Sequence, residues 1–244
     1  MTHDCHPALL ESREPIRILL AGVGGTGSRV LTGLRQIHLA LLAFDRPGLE
    51  VIALDPDTVS EANLVRQAFY PADVGRSKSA ILINRLNLAC GLAWQAGQHP
   101  VNREFILKLQ PQVVLSCVDS RAARAAIHAG VSDRSSRVHY WMDFGNDRDT
   151  GQMILGEPLN AVNKRSRARL RTAPELFPEI ADTSLGEDGG PSCSARESLE
   201  RQGLFVNDGV AVLGLSLLRQ LLCSETIGFQ RTHVNLGLGR VYAK

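Results

Sequence analysis

The run Gly22-Val23-Gly24-Gly25-Thr26-Gly27 lies between a short apolar stretch, 16–21, and a segment with helical spacing that begins at Thr26. This is G-x-G-x-x-G in the strand–turn–helix setting its mechanics need. Gly22 permits the tight turn, Gly24 lets backbone amides approach a phosphate, and Gly27 lets the helix pack close to the strand. The helix N-terminus then presents free N–H groups and the positive end of its dipole to an anion. The plainer alternative is a glycine-rich turn without a ligand. By itself the loop suits NAD, FAD, SAM or ATP. A ribose-binding acid normally comes about 20 residues on, whereas Asp55 stands 28 residues beyond Gly27. The choice between ligands therefore rests on the residues after Asp55.

From there to Gln67 the chain offers Asp55, Asp57, Asn63, Arg66 and Gln67, more polar chemistry than a dinucleotide fold requires. Downstream, Gly75-Arg76-Ser77-Lys78 puts a cation at a helix start, and the apolar run 113–117 leads into Asp119. These parts suit attack by a carboxylate on the α-phosphate of ATP. Such a nucleophile is already ionised and needs no general base. The demand is for cations and Mg2+ to offset charge on the departing pyrophosphate, and for in-line positioning. Arg66 and Lys78 can supply the cations, and Asp55 is the ribose acid. Asp119 can hold Mg2+, which prefers carboxylate, phosphate and water oxygens. Each residue also has a simpler reading. Asp57 can cap the turn beginning at Thr58, Arg66 can be a solvated surface arginine, and Lys78 can sit on a polar helix face. Asp119 can cap the helix that starts at Ser120.

The elements that must position these residues can be read from periodicity. Apolar runs at 16–21, 50–54, 113–117, 139–144 and 152–155 predict strands, with others at 94–99 and 231–236. Helical spacing marks 26–44, 77–90, 103–109, 120–131 and 208–222. Strands alternating with helices predict an α/β fold, a doubly wound, Rossmann-like, mostly parallel sheet with helices on both faces. Ligands bind such a sheet at its carboxyl edge, where the glycine loop, Asp55 and Asp119 all fall. A long loop excursion over 156–192, with four prolines and a basic cluster at 164–171, precedes the C-terminal helix and strand. We expect a single domain over 1–244, made of a nucleotide-binding core at 1–155, a crossover loop at 156–197 and a return to the core at 198–244.

At the end of the excursion stands Cys193. Ser194 and Glu197 have capping-box spacing, so a helix begins there, and a thiol beside a helix N-terminus and near Arg196 has its thiolate stabilised. An inert loop or buried thiol is the alternative. Cys90, Cys117 and Cys223 lie in apolar stretches and read as core. Five cysteines with no CxxC pair, behind an N-terminus without signal-peptide character, point to a reducing cytoplasm and to no structural zinc. His99, His128, His139 and His233 are isolated and lack metal-ligand spacing, and 141–145 reads as a strand at the sheet edge, its aromatics packing the core. With 244 residues, 44% apolar and 21% charged, the chain is globular, and a net charge of +2 gives no argument for nucleic acid. No apolar run approaches the ~20 residues of a membrane span.

The pattern G-x-G-G-x-G-S, then D-x-D-x-V-x-x-x-N-L-x-R-Q, then G-x-x-K, then an apolar strand ending in Asp runs in order through roughly 14–155. It resembles the ThiF/MoeB/ubiquitin-activating superfamily, with a weaker match in the helix from Asp208. The resemblance implies ATP- and Mg2+-dependent adenylation of the C-terminal glycine of a ubiquitin-like protein. Carried over by position, Gly22, Gly24, Gly25 and Gly27 form the phosphate loop and Asp55 binds ribose. Asn63, Arg66 and Lys78 contact the phosphates and Asp119 coordinates Mg2+, while Asp57 and Gln67 belong to the same motif. Cys193, in P-S-C-S, resembles the loop cysteine that accepts the activated tail as a thioester. Members are commonly homodimers in which an N-terminal arginine reaches the other subunit's ATP, and Arg13 is the candidate here. The zinc-binding CxxC pairs of ThiF and MoeB are missing. The run from Pro191 through Leu199, Gln202, Leu204, Phe205 and Asn207 most resembles the ThiF-family protein of the PRTRC system, which implies ubiquitin-like and conjugating-enzyme-like partners. Two other classes compete. An NAD-dependent Rossmann oxidoreductase explains the glycine loop and Asp55 but leaves Asn63, Arg66, Lys78 and Asp119 without a role. A catalytically silent nucleotide-binding scaffold keeps the fold and loses turnover.

Overall fold

A computed structural model describes residues 2–163, 169–186 and 203–244. After a two-residue strand β1 (His3–Asp4) and a single helical turn α1 (Pro7–Leu10), strands and helices alternate. They run β2 (Ile16–Ala21), α2 (Gly25–Ala43), β3 (Leu49–Leu54), α3 (Lys78–Cys90), β4 (Gln95–Gly97), α4 (Arg103–Leu109), β5 (Val113–Ser116) and α5 (Arg121–Val131). Then come the hairpin β6 (Tyr140–Asn146) and β7 (Thr150–Gly156), the short α6 (Ala173–Leu176), and α7 (Val206–Cys223). The chain closes with β8 (Thr226–Ile227), β9 (Arg231–Asn235) and β10 (Arg240–Ala243).

Eight strands form one sheet in the order β10-β9-β7-β6-β5-β2-β3-β4. The five from β4 to β6 pair in parallel, and β7, β9 and β10 add on antiparallel. The expected mostly parallel α/β sheet is what the chain forms. Both faces of β2 are buried, which accounts for an apolar run broken at Arg17 alone. Ile16, Ile18 and Leu20 join the core with Val30, Leu34, Leu217 and Leu221 on one face. Leu19 and Ala21 join Ile106, Ile127 and Trp141 on the other. The chain leaves β2 toward β3 and β4 and returns to β5 on the opposite side of β2. The strand order thus reverses between β2 and β5, the point where open α/β sheets make their ligand crevice.

Helix α7 is long and apolar enough to cross a membrane by composition. It packs instead on α2 and β7, with Val210, Leu217, Leu218, Leu221 and Leu222 buried, as a core helix does.

Three expectations change. Residues 141–145 do not lie at the sheet edge, because β6 sits between β5 and β7, with Tyr140 and Trp141 fully buried. The excursion is not structureless in its described parts. The Asn160 and Asn163 amides donate to carbonyls of Val131, Val138 and His139, doing with side chains what a ladder does elsewhere, and α6 leads into two 3-10 turns, Pro178–Ala181 and Thr183–Leu185. Finally, Asp119 does not cap α5. Ser120 holds that position, its Oγ accepting from Ala123 N at 3.1 Å. Cys193 and 164–168 of the basic cluster lie outside the described residues.

Candidate nucleotide site at the carboxyl edge of the sheet

The turn after β2 is built by contacts that only glycine allows. Gly22 adopts φ +82°, and a Cβ there would lie 2.7 Å from the Cys117 carbonyl oxygen. A Cβ on Gly27 would lie 2.0 Å from the Gly22 carbonyl oxygen, so the first turn of α2 rests directly on the loop. Gly22 N donates to Leu54 O at 2.8 Å and Cys117 N to Ala21 O at 2.8 Å, which ties the ends of β2, β3 and β5 together. Helix α2 starts with no side-chain cap and no acid in its first turn. Its free N–H groups are those an anion would take.

Asp55 comes directly after β3 and reaches back into the loop. Its Oδ2 accepts from Val23 N at 2.6 Å and its Oδ1 from Asp57 N at 2.9 Å. Burial pushes this carboxyl above the usual carboxylate range, opposed by the two N–H donors and by the Lys78 charge. It holds the glycine loop in place from the position expected of the ribose acid. Asp57 pairs with Lys78, Oδ2 to Nζ at 2.8 Å, and Lys78 N donates to Asp57 O at 3.1 Å. The Lys78 side chain is 8% exposed and that of Asp57 62%. Lys78 thus lies buried at the start of α3 rather than on a polar helix face, with its counterion on the solvent side.

The stretch between them is wound by Asn63, whose Oδ1 accepts from Ser60 N at 2.9 Å in a capping box over the 3-10 turn Glu61–Asn63. Asn63 O then accepts from Gln67 N at 3.0 Å. The Gln67 amide comes to 3.8 Å from where a Gly24 Cβ would be, and its Oε1 is buried without a hydrogen-bond partner among the described residues. Arg66 is half-buried, and burial pulls its pKa down. Asp119 is exposed just past β5, and Arg13 is exposed as well. The structure therefore joins the glycine loop, Asp55, Asp57 and Lys78 by hydrogen bonds, sets Gln67 beside Gly24 and leaves Asp119 at the adjoining strand end.

Two clusters here went unnoticed in the sequence. Asp143, buried on β6, accepts from Ser116 Oγ and from Arg124 Nε, with Trp141 Nε1 donating to Ser116 Oγ at 2.7 Å. Arg124 Nη2 also donates to Val118 O at 2.7 Å and Nη1 to Asp119 O at 3.5 Å, so this arginine holds the strand end that carries Asp119. Burial raises the Asp143 carboxyl and the neighbouring arginine opposes that rise. An acid in the middle of an apolar strand was the available signal, since a buried charge must find a partner. The second cluster joins Thr26, Asn146 and Asn207, residues too far apart in sequence for spacing to reveal.

Among the described residues no group of three or more His, Cys, Asp and Glu side chains is arranged to hold a metal. A carboxylate that shares Mg2+ with phosphates and water needs no such group; Asp119 stands exposed at the strand end.

A glycine loop on a helix start at the switch point of a parallel sheet defines a nucleotide-binding α/β protein. The chain belongs to the ThiF family, whose model matches residues 4–138. No curated protein matches it. Among solved structures, PaaA superposes with a TM-score of 0.64 at 13% identity, over 98% of this chain and 67% of that one. Escherichia coli MccB with ATP gives 0.63 at 16%, over 97% and 65%. The same enzyme with AMPCPP and MccA gives 0.64 at 15%, over 97% and 65%. At these identities the likeness is one of fold, and the chain spans about two thirds of the length of those proteins.

Proposed function

We propose that the chain is an ATP-dependent adenylating enzyme that activates the C-terminal carboxylate of a small partner protein, a ubiquitin-like protein ending in glycine. The observation that carries this reading is the buried Lys78, bonded to Asp57 at 2.8 Å in the same unit as Asp55 and the glycine loop. A nicotinamide fold has no need of a buried lysine beside its phosphate loop. MccB, similar in fold, has been seen with ATP and with AMPCPP and MccA, which supports a triphosphate and a small partner at this edge.

In the reaction a carboxylate oxygen of the partner bonds to the α-phosphorus of ATP. The bond from that phosphorus to the bridging oxygen breaks, pyrophosphate leaves with the electron pair, and an acyl adenylate remains. The α2 N–H groups, Lys78 and Arg66 hold the phosphates in line, and Asp55 orients the ribose. Asp119 would hold Mg2+, which when bound would supply positive charge to offset that of the leaving group. Cys193 then attacks the acyl carbon as a thiolate, AMP departs, and a thioester forms.

In finer detail we read the chain as one adenylation domain of the PRTRC-system kind. It works as a cytoplasmic homodimer that borrows Arg13 across the dimer axis and hands the tail to a conjugating-enzyme-like protein. The test is mass spectrometry after incubation with ATP and a ubiquitin-like protein ending in glycine. The wild-type chain should gain an adduct that a thiol reductant removes. Cys193→Ala should gain none while still releasing pyrophosphate. An adduct that survives in Cys193→Ala contradicts the thioester step.

A further inference from the structure

At the start of α7, Asn207 is 0% exposed and its amide lies over Gly25. A Cβ on Gly25 would stand 2.6 Å from Asn207 Oδ1 and 2.8 Å from Nδ2, so the amide fills the place of a side chain there. Two donors point at Oδ1: the Thr26 hydroxyl at 3.0 Å, and the Asn146 amide. That turns Nδ2 away from both, and it is buried with no hydrogen-bond partner among the described residues. Buried donors are nearly always satisfied. Gly25 and Thr26 open the 19-residue α2, whose start also lacks a side-chain cap. Their N–H groups and Nδ2 thus make one set of neighbouring donors without an acceptor among the described residues, which is what an anion site requires.

We propose that Asn207 is a triphosphate-binding residue. Its Nδ2 donates to a phosphate oxygen of ATP seated on the first turn of α2, while Oδ1, fixed by Thr26 and Asn146, sets the position of Gly25 and Thr26. Asn207 lies outside the residues 4–138 matched by the family, so this assigns part of the phosphate site to the chain's C-terminal section. The assignment rests on the ATP-dependent reading above.

Calorimetric titration of the full chain with ATP and with adenosine tests it. Asn207→Asp keeps the shape and the Oδ1 acceptor but replaces the Nδ2 donor with a charged oxygen. It should weaken ATP at least about tenfold and leave adenosine unchanged. Asn207→Ser, too short to reach the phosphate, should also weaken ATP alone, and it carries the test if Asn207→Asp does not fold. Binding of ATP to either folded variant at wild-type affinity overturns the assignment. So does an equal loss for ATP and adenosine, which marks a purely structural role. If the wild-type chain binds adenosine but not ATP, the ATP-dependent reading itself falls.

Discussion

Lys78 brings the chemistry down to single atoms. Its ammonium is buried against Asp57 at 2.8 Å, and a buried charge that loses its partner is costly. A bound triphosphate can take over that partnership. Lys78→Ala should therefore lower ATP–pyrophosphate exchange about a hundredfold or more, the scale of removing one preorganised electrostatic contact, with little change in the melting temperature. Asp57→Asn makes the complementary case. Without ligand, Lys78 loses its neutralising charge, so the chain should melt lower than wild type. Saturating ATP should restore most of the difference. Differential scanning fluorimetry with and without ATP reads both. An Asp57→Asn chain that ATP does not rescue contradicts the idea that Lys78 faces the phosphates.

Among the elements, the strand end 117–119 is held by two opposing contacts. On one side Cys117 O limits residue 22 to glycine; on the other Arg124 donates to Val118 O and Asp119 O and pairs with Asp143. Arg124→Ala would leave Asp143 buried without its partner, at a cost of about 3–5 kcal/mol, and should lower the melting temperature by roughly 10 °C. Gly27→Ala places a methyl 2.0 Å from a backbone oxygen and should abolish ATP binding by displacing the loop. Retained ATP affinity in Gly27→Ala contradicts the close helix–loop packing. The strand–loop–helix unit at 16–43 was legible in the sequence because apolar period, glycine spacing and helix start all agree there. So were β3, α3, β5 and α5, within a residue or two at each end. Strands β1, β8 and β10 were not, because two to four residues are too few to show a period. The Arg124–Asp143 pair was hidden for another reason: its members lie on different elements, α5 and β6, 19 residues apart in sequence.

For the molecule as a whole, the N-terminal segment returns to the sheet through a buried titratable cluster. The His6 and His139 rings stand 4.0 Å apart, and His3 Nε2 lies 3.1 Å from Tyr140 Oη and 3.9 Å from Glu157. Burial, with His6 adding to it, lowers His139 to about 4, and burial also lowers His3 and His6. A histidine whose folded pKa is depressed contributes stability above its unfolded pKa of about 6.5. That stability is lost as pH falls toward the folded value. Urea unfolding at pH 7 and pH 5 should therefore show a loss on the order of 2 kcal/mol from His139 alone, and His139→Gln should flatten the dependence. A wild-type stability that holds constant over that range contradicts this. The larger claim is that the carboxyl edge joins a partner's carboxylate to AMP, and it is tested most directly by ATP–pyrophosphate exchange. The wild-type chain with a ubiquitin-like protein ending in glycine should exchange label, and Asp119→Ala should not. No exchange with any such partner, together with tight binding of NADH at the glycine loop, would contradict the account.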